Sequence, residues 1–262
     1  MEVIIQRDAE TAVHLVSRLI ARDLHAKPHL VLGLATGRTM EDVYRELVRM
    51  HREEHLDFSL CRTFNLDEYI GLQPTHPGAY RCYMNDQLLH HVNIDLRNTH
   101  LPNGMATDLA AECVAYECRI KEVGGIDLQL LGIGSDGHIG FNEPLSALMS
   151  RTREKTLTRN TREQNAEMFG GNVERVPKRA LTMGVGTILE SHRCLLLATG
   201  EAKAGVIAKA IEGPISAMIS ASALQLHPHC TVVVDEEAAS KLQEVEYYRW
   251  IFANEPEWAE FR

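Results

Sequence analysis

The sequence has no surplus of positive charge. Lysine and arginine number 27 against 36 aspartates and glutamates, and 27 − 36 leaves −9 with histidine neutral. A protein that grips a phosphate backbone needs a basic face, so nucleic acid is not an expected partner. Nor is there a run of roughly 18 apolar residues, the length a membrane-spanning helix requires, so no membrane association is expected. The opening segment Met1-Glu2-Val3-Ile4-Ile5-Gln6-Arg7-Asp8 carries acids early and too short an apolar run for a secretory signal. The expected location is therefore cytoplasmic. Six cysteines (Cys61, Cys82, Cys113, Cys118, Cys194, Cys230) lack C-x-x-C spacing, which fits reduced core thiols better than a disulfide frame. Low-complexity tracts, linkers and long charge runs are also missing, and residues 1–262 read as a single domain.

What is present is a repeated pattern of apolar runs ending in a glycine turn. Three examples are His29 to Gly37, Leu128 to Gly134 and Cys194 to Gly200. Near-continuous apolar strands followed by helical segments mean strands buried on both faces. Helices are expected over Ala9 to Ala26, Met40 to Met50, Asp108 to Glu122 and Ala202 to Ile211, and further strands over Val3 to Gln6, Cys61 to Leu66 and Cys230 to Asp235. The alternation predicts an α/β fold, a doubly wound and mostly parallel sheet with helices on both faces. In such sheets ligands gather at the carboxyl ends of the strands.

Three loops at such ends carry chemistry. In Ala35-Thr36-Gly37-Arg38-Thr39 a strand passes into a helix with Thr39 as the expected N-cap, and free amides at a helix start attract phosphate. It is not a Walker loop, since only three residues separate Gly33 from Gly37 and Arg38 stands where the lysine would be. The second loop, Gly132-Ile133-Gly134-Ser135-Asp136-Gly137, fits a G-x-G-x-x-G string. Pro144 and Gly140 oppose a following helix, however, and Asp136 would set a carboxylate where a dinucleotide's pyrophosphate must lie. As acid-base chemistry the stretch is richer, because Asp136 and Glu143 flank His138, and carboxylates can orient a histidine that exchanges a proton near neutral pH. In the third loop, Phe64-Asn65-Leu66-Asp67-Glu68-Tyr69, a strand runs into adjacent carboxylates. Neighbours on an extended chain face opposite ways, so only one of the two enters a given pocket as a candidate base. The histidines suggest no metal: His51 and His55 are spaced i,i+4 but lack the H-E-x-x-H order, and His227-Pro228-His229-Cys230 shows no ligand spacing.

Together these strings resemble the glucosamine-6-phosphate deaminase (isomerase) family along nearly the whole chain. The matching stretches are Leu32 to Gly37, Phe64 to Leu72, Asp136 to Pro144, Ser150 to Arg153, Val176 to Lys178 and Ala223 to His227. The resemblance implies conversion of glucosamine 6-phosphate and water to fructose 6-phosphate and ammonia, with no metal or organic cofactor. It implies that His138, oriented by Asp136 and Glu143, serves ring opening and that Asp67 carries the C2 proton to C1, with Glu68 facing away. Gly37, Thr39 and Lys203 are implied to bind the substrate phosphate. Ser146, Arg153, Lys155 and Thr156 match an allosteric site for N-acetylglucosamine 6-phosphate. A homo-oligomer and a mobile lid over roughly residues 153 to 182 are likewise implied.

The chain departs from the family where the phosphate should sit. Arg38 replaces a glycine, and Glu167 stands in the lid where the family has a phosphate-binding arginine. An anion about 4 Å from a phosphate is repelled by several kcal/mol at an effective dielectric near 20. The expectation is that Arg38 supplies the missing charge from the opposite wall; the competing readings are a shifted lid in which Arg162 or Arg175 takes over, or a different substrate. Three alternatives remain: a 6-phosphogluconolactonase, which shares the fold and an Asp-Gly-His turn but lacks the Asp67-Glu68-Tyr69 and Phe141-Asn142-Glu143-Pro144 combination, a deaminase with an altered substrate, and a sugar-phosphate sensor without turnover.

Overall fold

Apolar runs such as Val31–Leu34, Leu128–Leu131 and Cys230–Asp235 are buried along their entire length. Strands of this kind need cover on both faces, and a parallel sheet between helices provides it. In the computed structural model, which describes residues 1–262, ten strands form two sheets. In chain order they are β1 (Glu2–Gln6), β2 (Val31–Leu34), β3 (Arg62–Asn65), β4 (Asp67–Tyr69), β5 (Thr99–His100), β6 (Leu128–Leu131), β7 (Arg153–Thr156), β8 (Arg179–Thr182), β9 (Arg193–Ala198) and β10 (Cys230–Asp235). Seven of them form an all-parallel sheet in the order β1-β10-β9-β6-β2-β3-β5. The expected doubly wound α/β architecture is what the chain adopts.

The strand order places the site. From β2 the chain winds outward through β3 to β5, then returns to lay β6 on the other side of β2 and winds the opposite way through β9 and β10. The crevice between the carboxyl ends of β2 and β6 is thus a topological switch point, where such sheets bind ligands. Four neighbouring strands, β9, β6, β2 and β3, deliver Lys203, the Asp136 to Glu143 loop, Gly37 and Asp67 to that edge.

The second sheet is antiparallel, in the order β4-β8-β7. Asp67 pairs with Thr182 of β8, and Arg153 of β7 pairs with the same Thr182. The segment expected as a lid therefore runs from β7 through the short helices Arg159–Asn165, Ala166–Phe169 and Val173–Arg175 to β8. Its root is hydrogen-bonded to the strand that carries Asp67.

Helix boundaries follow local chemistry. Ala9–Ala26 opens on a capping box in which the Asp8 carboxylate accepts from the Thr11 amide at 2.8 Å and Thr11 Oγ1 accepts from the Asp8 amide at 3.3 Å. The second helix, Arg38–Glu54, starts earlier than the expected Thr39 cap. Its cap is Gly37, whose φ of +124° suits a residue without Cβ, so Thr39 lies inside the first turn. One apolar core of 70 buried residues joins both faces of the main sheet. Cys61, Cys113, Cys194 and Cys230 are buried, whereas Cys82 is half-buried and Cys118 exposed, and both depart from the core placement. No helix is long and apolar enough to cross a membrane.

Candidate active site

Asp67 opens β4, and the residue is 5% exposed. No protein group donates a hydrogen bond to its carboxylate; Oδ2 lies against Gly140, where an added Cβ would sit 3.3 Å away. Burial first, and the neighbouring Glu68 second, hold its pKa well above the ordinary aspartate range. A carboxyl group tuned upward in this way holds and passes a proton more readily than an ordinary aspartate.

Glu68 turns to the other side of the strand. Its carboxylate accepts from the amides of Tyr69 at 2.8 Å and of Tyr80 and Arg81 at 2.9 Å each, so it closes the start of the short helix Tyr80–Met84. The alternation of an extended chain thus separates one structural carboxylate from one that is free to react.

The loop after β6 holds His138 by three constraints. Its Nδ1 lies 2.5 Å from Asp136 Oδ1 and 3.9 Å from Glu143 Oε2. Its ring also lies on the backbone of Gly134, where a Cβ would come within 2.3 Å of Cε1, so only glycine admits the ring there. Asp136 is half-buried, which raises its pKa, but the hydrogen bond and charge of His138 and the local amides outweigh burial and leave it below the ordinary range. Glu143 is held by Thr158, whose amide donates to Oε1 at 2.9 Å and whose hydroxyl approaches Oε2 at 3.3 Å. The ligating atoms of Asp136, His138 and Glu143 all lie within 4.8 Å of one another, a grouping that the histidine-spacing test in the sequence did not reveal. Because these carboxylates are already engaged with His138 and Thr158, the arrangement suits an oriented histidine that passes protons.

The residues expected to bind phosphate lie at the same edge. Gly37 is exposed with open space over its Cα, and its carbonyl accepts from the Tyr83 hydroxyl at 2.8 Å. Lys203 donates from Nζ to the Ile133 carbonyl at 2.7 Å. Its pKa is pulled below the usual lysine range, by burial first; Asp136 acts the other way and Arg38 adds repulsion. Arg38 itself does not stand free. Its Nη1 lies 3.1 Å from Glu167 Oε2, so the two departures noted in the sequence are paired with each other.

The segment between β7 and β8 lies closed over these loops. Asn160 Nδ2 donates to Ser135 Oγ at 3.0 Å, Gln164 also donates to Ser135, and Asn165 Nδ2 donates to the Tyr69 hydroxyl at 3.0 Å. Phe169 packs against Tyr69 with ring centroids 5.6 Å apart and fills the space over Gly78, where a Cβ would meet its ring at 2.5 Å. Thr158, Ser135 and Tyr83 were not singled out from the sequence. Only Thr158 carried a local signal, as an N-cap accepting from the Thr161 amide at 3.2 Å.

Of the four residues assigned to an allosteric site, Ser146 is buried with no partner for its hydroxyl. Arg153 donates from Nη1 to Asn142 at 2.9 Å and leaves Nη2 buried and unpaired. Lys155 shares the face of β7 with Arg153, and Thr156 has the opposite parity on that strand.

A family model described as glucosamine-6-phosphate isomerases/6-phosphogluconolactonase matches residues 6–233. The chain belongs to this family. It is 49% identical over 258 residues to a glucosamine-6-phosphate deaminase of Streptomyces coelicolor, covering 98% of this chain and 99% of the relative. It is 51% identical over 251 residues to one from Cellvibrio japonicus, covering 96% and 95% respectively. Among solved structures, a glucosamine-6-phosphate deaminase described as monomeric superposes with a TM-score of 0.90 at 46% identity, over 92% of this chain and 100% of that one. A 6-phosphogluconolactonase from Trypanosoma cruzi superposes at a TM-score of 0.73 with 20% identity, over 92% of this chain and 97% of that one, a likeness of fold.

Proposed function

We propose that the protein is a glucosamine-6-phosphate deaminase that converts glucosamine 6-phosphate and water to fructose 6-phosphate and ammonia. The observation that carries this reading is the buried Asp67 carboxylate, free of protein hydrogen bonds, beside the loop that fixes His138 between Asp136 and Glu143. His138 moves a proton to the ring oxygen and opens the sugar. Asp67 takes the C2 proton, made acidic by the adjacent carbonyl and ammonium, and returns it to C1. The resulting C2 imine takes up water and releases ammonia, leaving the ketose. Gly37, Arg38 and Thr39 at the start of Arg38–Glu54, with Lys203 opposite, bind the substrate phosphate. The reading needs no metal or cofactor.

The relatives near 50% identity favour a deaminase over a lactonase, which shares the fold at 20% identity. Incubation with glucosamine 6-phosphate and separately with 6-phosphogluconolactone separates the two: ammonia release from the first supports the deaminase, and acid release from the second alone overturns it. Binding of glucosamine 6-phosphate without turnover would make the protein a sensor.

Resemblance further supports activation by N-acetylglucosamine 6-phosphate at Ser146, Arg153, Lys155 and Thr156. The unpaired Arg153 Nη2 and Ser146 hydroxyl supply donors for it. Adding that sugar phosphate to the ammonia assay tests the activation. A cytoplasmic homo-oligomer is also part of the reading by resemblance. The 46% identical deaminase is described as monomeric, and sedimentation decides between the two states.

A further inference from the structure

Arg38 and Glu167 meet across the mouth of the site. Arg38 is the first residue of the helix Arg38–Glu54, beside the exposed Gly37 amide, and Glu167 lies in the short helix Ala166–Phe169 of the covering segment. Their side chains are 80% and 72% exposed and 3.1 Å apart. An ion pair in that much water is a weak one. Lys203, facing the same crevice, feels the Arg38 charge. Two cations and a helix start therefore face this edge, and one of the cations is occupied by a carboxylate from the cover. The other contacts of the covering segment are independent of the pair: Phe169 packs on Gly78 and Tyr69, and Asn160 and Gln164 bond Ser135.

We infer that Glu167 sets the affinity of the phosphate subsite by clasping Arg38 in the empty site and ceding it to the phosphate of the substrate. The inference rests on the phosphate subsite proposed above. A phosphate dianion accepts several charge-assisted hydrogen bonds from a guanidinium, an ammonium and helix amides together, whereas Glu167 offers a single exposed contact. The exchange thus runs toward substrate, but each binding event must first break the clasp. Glu167 consequently acts on affinity and not on the chemical step. Because Phe169 keeps the cover docked, loss of the carboxylate leaves closure intact.

The test uses Glu167→Gln, Arg38→Ala and the double variant. Inorganic phosphate binding is measured by calorimetry, and KM and kcat for glucosamine 6-phosphate by ammonia release. Glu167→Gln should tighten inorganic phosphate and lower KM by roughly two- to fivefold, the reach of an exposed ion pair, with kcat unchanged. In the Arg38→Ala background the same change should give a smaller gain, since there is no clasp left to release and only the repulsion between carboxylate and phosphate is relieved. Unchanged phosphate affinity in Glu167→Gln, or an equal gain with and without Arg38, would overturn the inference, the second because it would mean simple long-range repulsion. Absence of ammonia release in every variant, with the phosphate pattern intact, would sink the deaminase reading and leave the clasp standing.

Discussion

Replacing Asp67 with asparagine should remove activity and at the same time change how stability depends on pH. Burial, with the Glu68 charge second, holds the Asp67 carboxyl protonated in the folded protein at pH values where the unfolded chain has ionised it. Between the ordinary carboxylate range and the raised folded value, the native state holds one more proton than the unfolded state. Raising the pH therefore destabilises the fold through this group. Its contribution is fully present below the unfolded pKa and is lost as pH rises through the folded one. The limiting slope is about 1.4 kcal/mol per pH unit for one such proton. With the residue 5% exposed, solvent screening does little to reduce it. The assay is urea unfolding of the wild type and Asp67→Asn at a series of pH values that starts just above the unfolded carboxylate range and rises from there. The wild type should lose ground to the variant as pH rises, by up to about 1.4 kcal/mol per unit, until the native carboxyl ionises and the difference levels off. A difference that stays flat across the whole range would show that Asp67 is ionised in the resting fold, and the argument from burial would fail.

Other changes follow from single contacts. Gly134→Ala would push a Cβ to 2.3 Å from the His138 ring, so kcat should fall by roughly tenfold or more while the circular dichroism spectrum is retained. Gly78→Ala would collide with Phe169 and loosen the docked cover, raising KM and the rate of proteolytic cleavage between residues 159 and 175. Glu117 accepts from the Thr152 amide at 2.8 Å, from the Thr152 and Thr187 hydroxyls at 2.5 and 2.6 Å, and from Arg151. Glu117→Gln should lower unfolding free energy by roughly 1 to 3 kcal/mol in urea titration, because an amide nitrogen replaces Oε2, the acceptor of the Arg151 guanidinium, and sets donor against donor just before β7. The acid limb of the kcat/KM profile should lie above the ordinary carboxylate range, activity rising with pH as Asp67 ionises.

The sheet was legible because its strands read as unbroken apolar runs, and Cys230–Asp235 matches the sequence reading residue for residue. The helix after β2 was harder. Thr39 followed by Asp42 reads as a capping pair, yet Gly37 takes the cap through its positive φ, and Asp42 pairs with Arg45 at 2.5 Å. Backbone angles of that kind leave no periodic trace in a sequence. Asp67, Asp136, His138 and Glu143 could be nominated because they follow strands, where α/β sheets place ligands. What holds them could not. Thr158 on Glu143 spans 15 positions, and the amides of Tyr80 and Arg81 on Glu68 span 12 and 13, contacts that exist only once distant segments pack together. The opposed charges at Arg38 and Glu167 were visible separately, and only folding revealed that they compensate each other directly.

In the proposed reaction Asp67 carries the C2 proton of glucosamine 6-phosphate. Substrate bearing deuterium at C2 puts this step to the most direct test, with ammonia release and the position of the label followed in the wild type and in Asp67→Asn. The expected result is ammonia and fructose 6-phosphate from the wild type, a slowed rate with the labelled substrate, part of the deuterium recovered at C1, and no ammonia from the variant. Ammonia release that persists in Asp67→Asn would contradict the assignment.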